Sequence, residues 1–167
     1  DRATLELTVA SEAAQAIEEA VQYLIGYPYG CVEQTMSRLL PDLVAVQALK
    51  KAGVEDSPLE DQLGDLVNQG MLRLIRMQHE DGGWGWWKDD ATDPFMTAYV
   101  LFGFDLASRA DYTYDWSVQD AGRKALRALI DSDAMDPTQR AFALAVASAD
   151  LWGEDGYPDL ADRMFGG

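Results

Sequence analysis

The sequence predicts an all-α fold, built as a partial α/α toroid of about six to seven helices with one short strand at its start. Three observations predict it. Apolar residues recur at helical spacing through most of the chain. Segments with one apolar face alternate with segments that are apolar nearly all round, as outer and inner helices of a ring would be. The connecting loops are dense in Gly, Asp and Pro, and two of them, "HEDGGWG" and "WGEDGYPD", share a DG turn, a weak internal echo.

The elements follow in order. Leu5, Leu7 and Val9 alternate with Thr4, Glu6 and Thr8, the pattern of a single strand that needs a partner elsewhere. Residues 1–10 are therefore assigned to a strand or linker from a preceding domain, and 11–167 to the helical array. Ser11 caps a first helix whose apolar face carries Ala13, Ile17, Ala20, Val21 and Leu24; Gly26 and Pro28 stop it. A second helix follows Cys31 and runs to Lys51, with a kink or a restart expected at Pro41. In the third, Ser57, Pro58 and Glu60 form a capping-box start, and Leu59, Leu63, Leu66, Val67, Gly70, Leu74 and Met77 make the inner stripe. Asp93 and Pro94 open "PFMTAYVLFGFDLASR", which reads as enclosed. "SVQDAGRKALRALI" is amphipathic and outer, and "PTQRAFALAVASADLW" is inner. A last short helix begins near Leu160.

Composition narrows the function classes. The chain has 167 residues, 48% of them hydrophobic, enough for a core that buries roughly 70% of the unfolded surface. Its net charge is −16, from 29 acidic against 13 basic residues, which repels phosphate backbones and anionic lipid. Nucleic acid is thus excluded as a natural partner. No apolar run reaches the ~20 residues of a membrane span. A single cysteine, Cys31, rules out an internal disulfide and leaves the compartment open. The first residues, "DRATLELTVAS", read as sequence from the middle of a longer chain.

That cysteine stands in "GYPYGCVEQTMSRLLP", residues 26–41, three positions before Gln34. At the start of a helix, positions i and i+3 share a face, so the two side chains can touch. A helix N-terminus favours a cysteine in its thiolate form. A thiolate that attacks the Gln34 carboxamide carbon and expels ammonia would leave an internal thioester, a stored acyl group that survives where water is excluded. Tyr27 and Tyr29 supply rings that could shield it, and Pro28 and Gly30 a tight approach. The bland alternative is a buried cysteine acting as a small hydrophobe beside an exposed helix residue. C-x-x-Q by itself favours the bland one.

The longer stretch resembles the thioester site of the α2-macroglobulin and complement family, in its bacterial branch. Gly30, Cys31, Glu33, Gln34, Met36 and Pro41 stand in the family's order and spacing; Val32 replaces the Gly of animal members. "HEDGGWGWW" with "DPFMTAYVLFGF" is similar to the family's His-x-Asp-Gly segment and the helix after it. The resemblance implies the N-terminal part of a thioester domain, an α/α toroid set in a much larger chain. It implies a Cys31–Gln34 thioester that acylates nucleophiles on a trapped protease after cleavage of a bait region elsewhere. The partners implied are target proteases and the other domains of the parent. The location implied is the periplasm, cell envelope or exterior. The activity implied is that of an endopeptidase inhibitor and single-turnover trap, with no cofactor and no metal. Glu33 could orient or screen the site, or serve as a first-turn acid favoured by the helix dipole. An isolated open ring would expose apolar faces and self-associate.

Two other groupings compete. His79, the only histidine, matches the His-x-Asp-Gly segment and reads as loop packing; an acyl-relay histidine, where the family uses one, lies farther downstream. Gln78, Gly82 and Trp84 fit the Q-x-x-x-G-x-W repeat of class II terpene cyclases, an enzyme alternative with the same toroid. Their acidic motif resembles "KDDAT", but Lys88 stands where its first Asp belongs. Asp89, Asp90 and Asp93 then read as solvated loop and N-cap. An inert interaction module is the third class.

Overall fold

The computed structural model describes residues 30–53, 58–132 and 135–148. The strand at Leu5–Val9, the Ser11 helix, Tyr27, Tyr29, the Ser57 cap and the helix near Leu160 all lie outside them. Among the described residues there are five α-helices and no β-strand: α1 Val32–Lys51, α2 Pro58–Met77, α3 Pro94–Arg109, α4 Trp116–Asp131 and α5 Pro137–Val146. None is long and apolar enough to cross a membrane. Helix α1 pairs with α2, while α3 packs against α1, α4 and α5.

Each helix forms where its sequence permits. The Asp93 carboxylate accepts from the Met96 N–H at 2.8 Å, with Pro94 in the first turn, where it removes no intrahelical bond. Asp115 and Asp136 cap α4 and α5 in the same manner. The α2 stripe largely follows its spacing: Leu63, Leu66, Val67, Gly70, Leu74 and Met77 are buried, Met71 joins them, and Leu59 is only half-buried against the core. Helix α3 buries nine of its sixteen residues, which makes it the enclosed element, whereas α4 buries one face only, at Val118, Gln119, Gly122, Leu126 and Ile130.

One local expectation is narrowed and one is changed. Helix α1 runs through Pro41 as one element and does not restart there. Pro41 and Ser37, whose carbonyl loses its donor to the ring, are both exposed, so water can serve the orphaned oxygen. Helix α5 is less enclosed than its composition suggests: among its described residues only Ala143, Leu144 and Val146 are buried.

The core joins all five helices around Trp84, Phe104, Met36, Leu39 and Met96, all at 1% exposure or less. Trp84 is contributed by the loop between α2 and α3. Its indole N–H donates to the Leu74 carbonyl at 2.8 Å, and its ring lies 6.0 Å from Phe104. On the same inward side of α1 sits a charged pair one turn apart, Arg38 and Asp42, 6% and 1% exposed.

Candidate functional site

Cys31 is the N-cap of α1, in extended conformation, with Gln34 at the third helical position. It is a free thiol and 7% exposed. Gln34 turns back along the first turn, and its Oε1 accepts the Cys31 N–H at 3.2 Å. This is the return half of a capping box, with a carboxamide where other helices place a Glu side chain. Thiol and carboxamide therefore belong to the same turn, at the N-terminal end of a 20-residue helix.

Gly30 makes that return possible. A Cβ on residue 30 would lie 1.6 Å from Gln34 Oε1 and 2.8 Å from Gln34 Cδ. The carboxamide occupies the space a side chain would fill. Here glycine is required for close approach rather than for an unusual φ.

Both peptides flanking Cys31 are gripped from outside α1. The Gly30 carbonyl accepts from Arg73 Nη2 of α2 at 2.6 Å. The Val32 N–H donates to the Trp86 carbonyl of the α2–α3 loop at 2.9 Å. Within the helix, the Thr35 hydroxyl and N–H both donate to the Cys31 carbonyl, at 2.9 and 3.1 Å. Glu33 is half-buried, and its Oε1 accepts the Ser37 hydroxyl at 2.6 Å, one turn along the helix.

The loop that supplies Trp86 is heavily cross-braced. Gly82 adopts φ +90, and a Cβ there would meet the Ala121 carbonyl oxygen at 2.6 Å, so this turn of the DG pair needs glycine. The Gln78 amide donates to the carbonyls of Gly82 and Val118, tying the end of α2 to the start of α4. The Lys88 ammonium donates to the Gln78 carbonyl. One Asp90 oxygen accepts the N–H groups of both Trp86 and Trp87 at 3.0 Å. His79 bonds Thr92 through Nδ1 and the Trp87 carbonyl through Nε2, both at 2.9 Å; the carbonyl can only accept, so Nε2 carries a proton. Partial burial works to raise the Asp81 carboxyl, but the Thr92 hydroxyl, the Gly83 N–H and His79 outweigh it and hold it below its ordinary range.

One oxygen each of Asp90 and Asp93 accepts backbone N–H groups, and the Lys88 ammonium is held by the Gln78 carbonyl. No group of three metal-ligating side chains occurs among the described residues. The Q-x-x-x-G-x-W residues are a brace between helix ends. The histidine is a loop strut.

Some site residues were out of reach of sequence reasoning. Arg73 and the Trp86 carbonyl act at sequence separations of 43 and more, and nothing local marks either. Gly30 had a signal, since a glycine directly before a helix-capping residue leaves room for a returning side chain.

In this helical domain the Gln34 carboxamide folds back onto the backbone N–H of a buried, capping Cys31. The A-macroglobulin TED domain model matches residues 3–146, and the chain belongs to that family. It is 41% identical over 111 residues to an α2-macroglobulin of Thermotoga maritima, covering 66% of this chain and 7% of that protein. It is 34% identical over 115 residues to an α2-macroglobulin of Ralstonia nicotianae, again covering 66% and 7%. Among solved structures, native Escherichia coli α2-macroglobulin from domain MG7 to the C-terminus superposes with a TM-score of 0.68 at 25% identity, covering 89% of this chain and 25% of that one. The chain thus spans about 7% of the length of these two relatives.

Proposed function

We propose that the chain is the N-terminal part of the thioester domain of a bacterial α2-macroglobulin-like protease trap. Residues 1–10 lead in from a preceding domain, and 11–167 form part of an α/α toroid. The observation that carries the reading is the Gln34 carboxamide held on the Cys31 N–H in the space Gly30 leaves.

The chemistry is two acyl transfers. In the first, Cys31 Sγ loses its proton and bonds Gln34 Cδ; the Cδ–Nε2 bond breaks, and ammonia leaves with that proton. In the second, a lysine amine of a trapped protease bonds Cδ; the Cδ–Sγ bond breaks, and Sγ takes the proton the amine gives up. Gln34 is the electrophile and Cys31 the leaving group. Negative charge collects on Oε1 each time, and the Cys31 N–H, at the positive end of α1, is aimed at that atom. Tyr27 and Tyr29 act as shields, and Glu33 as a helix-start acid braced by Ser37. The exposed rings of Trp86 and Trp87 border the site and face other domains of the parent chain; in an isolated piece they promote self-association. The compartment is the periplasm, cell envelope or exterior, where foreign proteases are met.

The trap is tested in the full-length parent chain. Challenged with a panel of endopeptidases, it is expected to form complexes that survive boiling in detergent and map to Gln34. Cys31→Ser is expected to abolish them. Covalent complexes at undiminished yield with that variant would contradict the assignment.

A further inference from the structure

We propose that Arg73 is a positioning residue for this acyl chemistry, acting through the Gly30–Cys31 peptide; the inference rests on the thioester reading above. The Arg73 guanidinium donates to the oxygen of that peptide at 2.6 Å, a short charge-assisted bond. The N–H of the same peptide donates to Gln34 Oε1 at 3.2 Å. A peptide is conjugated, so a cation that draws density onto its oxygen makes its N–H a stronger donor. Guanidinium, peptide and carboxamide oxygen form one chain of hydrogen bonds. It ends on the atom that becomes an oxyanion when Sγ adds to Cδ and again when an amine does.

Two features set the size of the effect. Arg76, Lys88 and the opposing Asp89 line the same open cleft as Arg73, so its charge is one of several there. The Trp86 grip on Val32 and the space at Gly30 do not depend on Arg73, so the capping turn stays built without it. Weakening an oxyanion donor while keeping it in place is expected to cost about tenfold in rate, less than the loss of the donor itself.

The experiment compares the full-length parent chain with its Arg73→Gln and Arg73→Lys variants. It reads the fraction of molecules that have lost ammonia, the rate of thiol release by methylamine, and the melting temperature. The expected result is a methylamine rate about tenfold lower for Gln and about threefold lower for Lys, at unchanged melting temperature. A Gln variant that condenses and reacts as wild type overturns the role. So does a loss that follows the melting temperature instead of the side-chain charge. Should the Gln variant fail to fold, Lys decides: a slower rate at wild-type melting temperature supports the role, and a wild-type rate overturns it. A wild-type chain that has lost no ammonia and releases no thiol refutes the thioester reading itself, an outcome distinct from variant and wild type reacting alike.

Discussion

Gly30→Ala is expected to abolish the thioester while leaving the domain folded. The new methyl would sit 1.6 Å from Gln34 Oε1, far inside any tolerable contact. The obstacle is the far end of a flexible side chain, so the conflict resolves by the carboxamide swinging away from the Cys31 N–H. Gly30 is not in a left-handed conformation, so its backbone accepts alanine. Only the Gln34 cap bond is lost, which costs about 1 kcal/mol. Chemistry and stability should therefore separate. By intact mass the full-length variant should retain its ammonia, and by thermal melt it should stay within a few degrees of wild type. A variant that condenses normally would show that the observed carboxamide position is not the reacting one.

The second large effect belongs to Asp42. It is 1% exposed on the inner face of α1, and neither carboxylate oxygen has a hydrogen-bond partner among the described residues. Burial pushes its carboxyl from an ordinary 3.8 up to about 6, against the opposing pull of Arg38. Between those two values the unfolded chain has released the proton and the folded chain still holds it. Stability therefore falls as pH rises through that window, and the full penalty applies above about 6. The displacement corresponds to about 3 kcal/mol. Asp42→Asn never acquires the charge. In urea denaturation of the chain, the stability difference between variant and wild type should shift in the variant's favour by about 2 kcal/mol from pH 4 to pH 7, the greater part of the whole displacement. The other carboxylates titrate alike in both and cancel. Parallel curves across that range would contradict the assignment.

What the sequence discloses here is what a single segment decides. Asp93 with Pro94, the α2 stripe from Leu63 to Met77 and the enclosed character of α3 are local patterns, and the structure keeps them. Cys31 and Gln34 stand one turn apart, but that spacing alone favours a bland cysteine; the longer stretch through Met36 and Pro41 carries the reading. Features that depend on a second element are not legible. Nothing local says that the face carrying Arg38 and Asp42 turns inward. The Arg73 bond to the Gly30 carbonyl joins two helices through a backbone oxygen, and backbone acceptors carry no sequence signal. The continuity of α1 through Pro41 depends on which side of the helix faces water. The exposure of α5 is likewise settled by its neighbours, not by its composition.

The claim that unites these observations is that Cys31 and Gln34 condense. The most direct test is the intact mass of the freshly isolated full-length parent chain, before and after methylamine, with alkylation of Cys31 followed in parallel. The account predicts a mass short by one ammonia and a Cys31 that resists alkylation. Methylamine should then add once, at Gln34, and free the thiol. A fresh chain of unreduced mass whose Cys31 alkylates at once would contradict it.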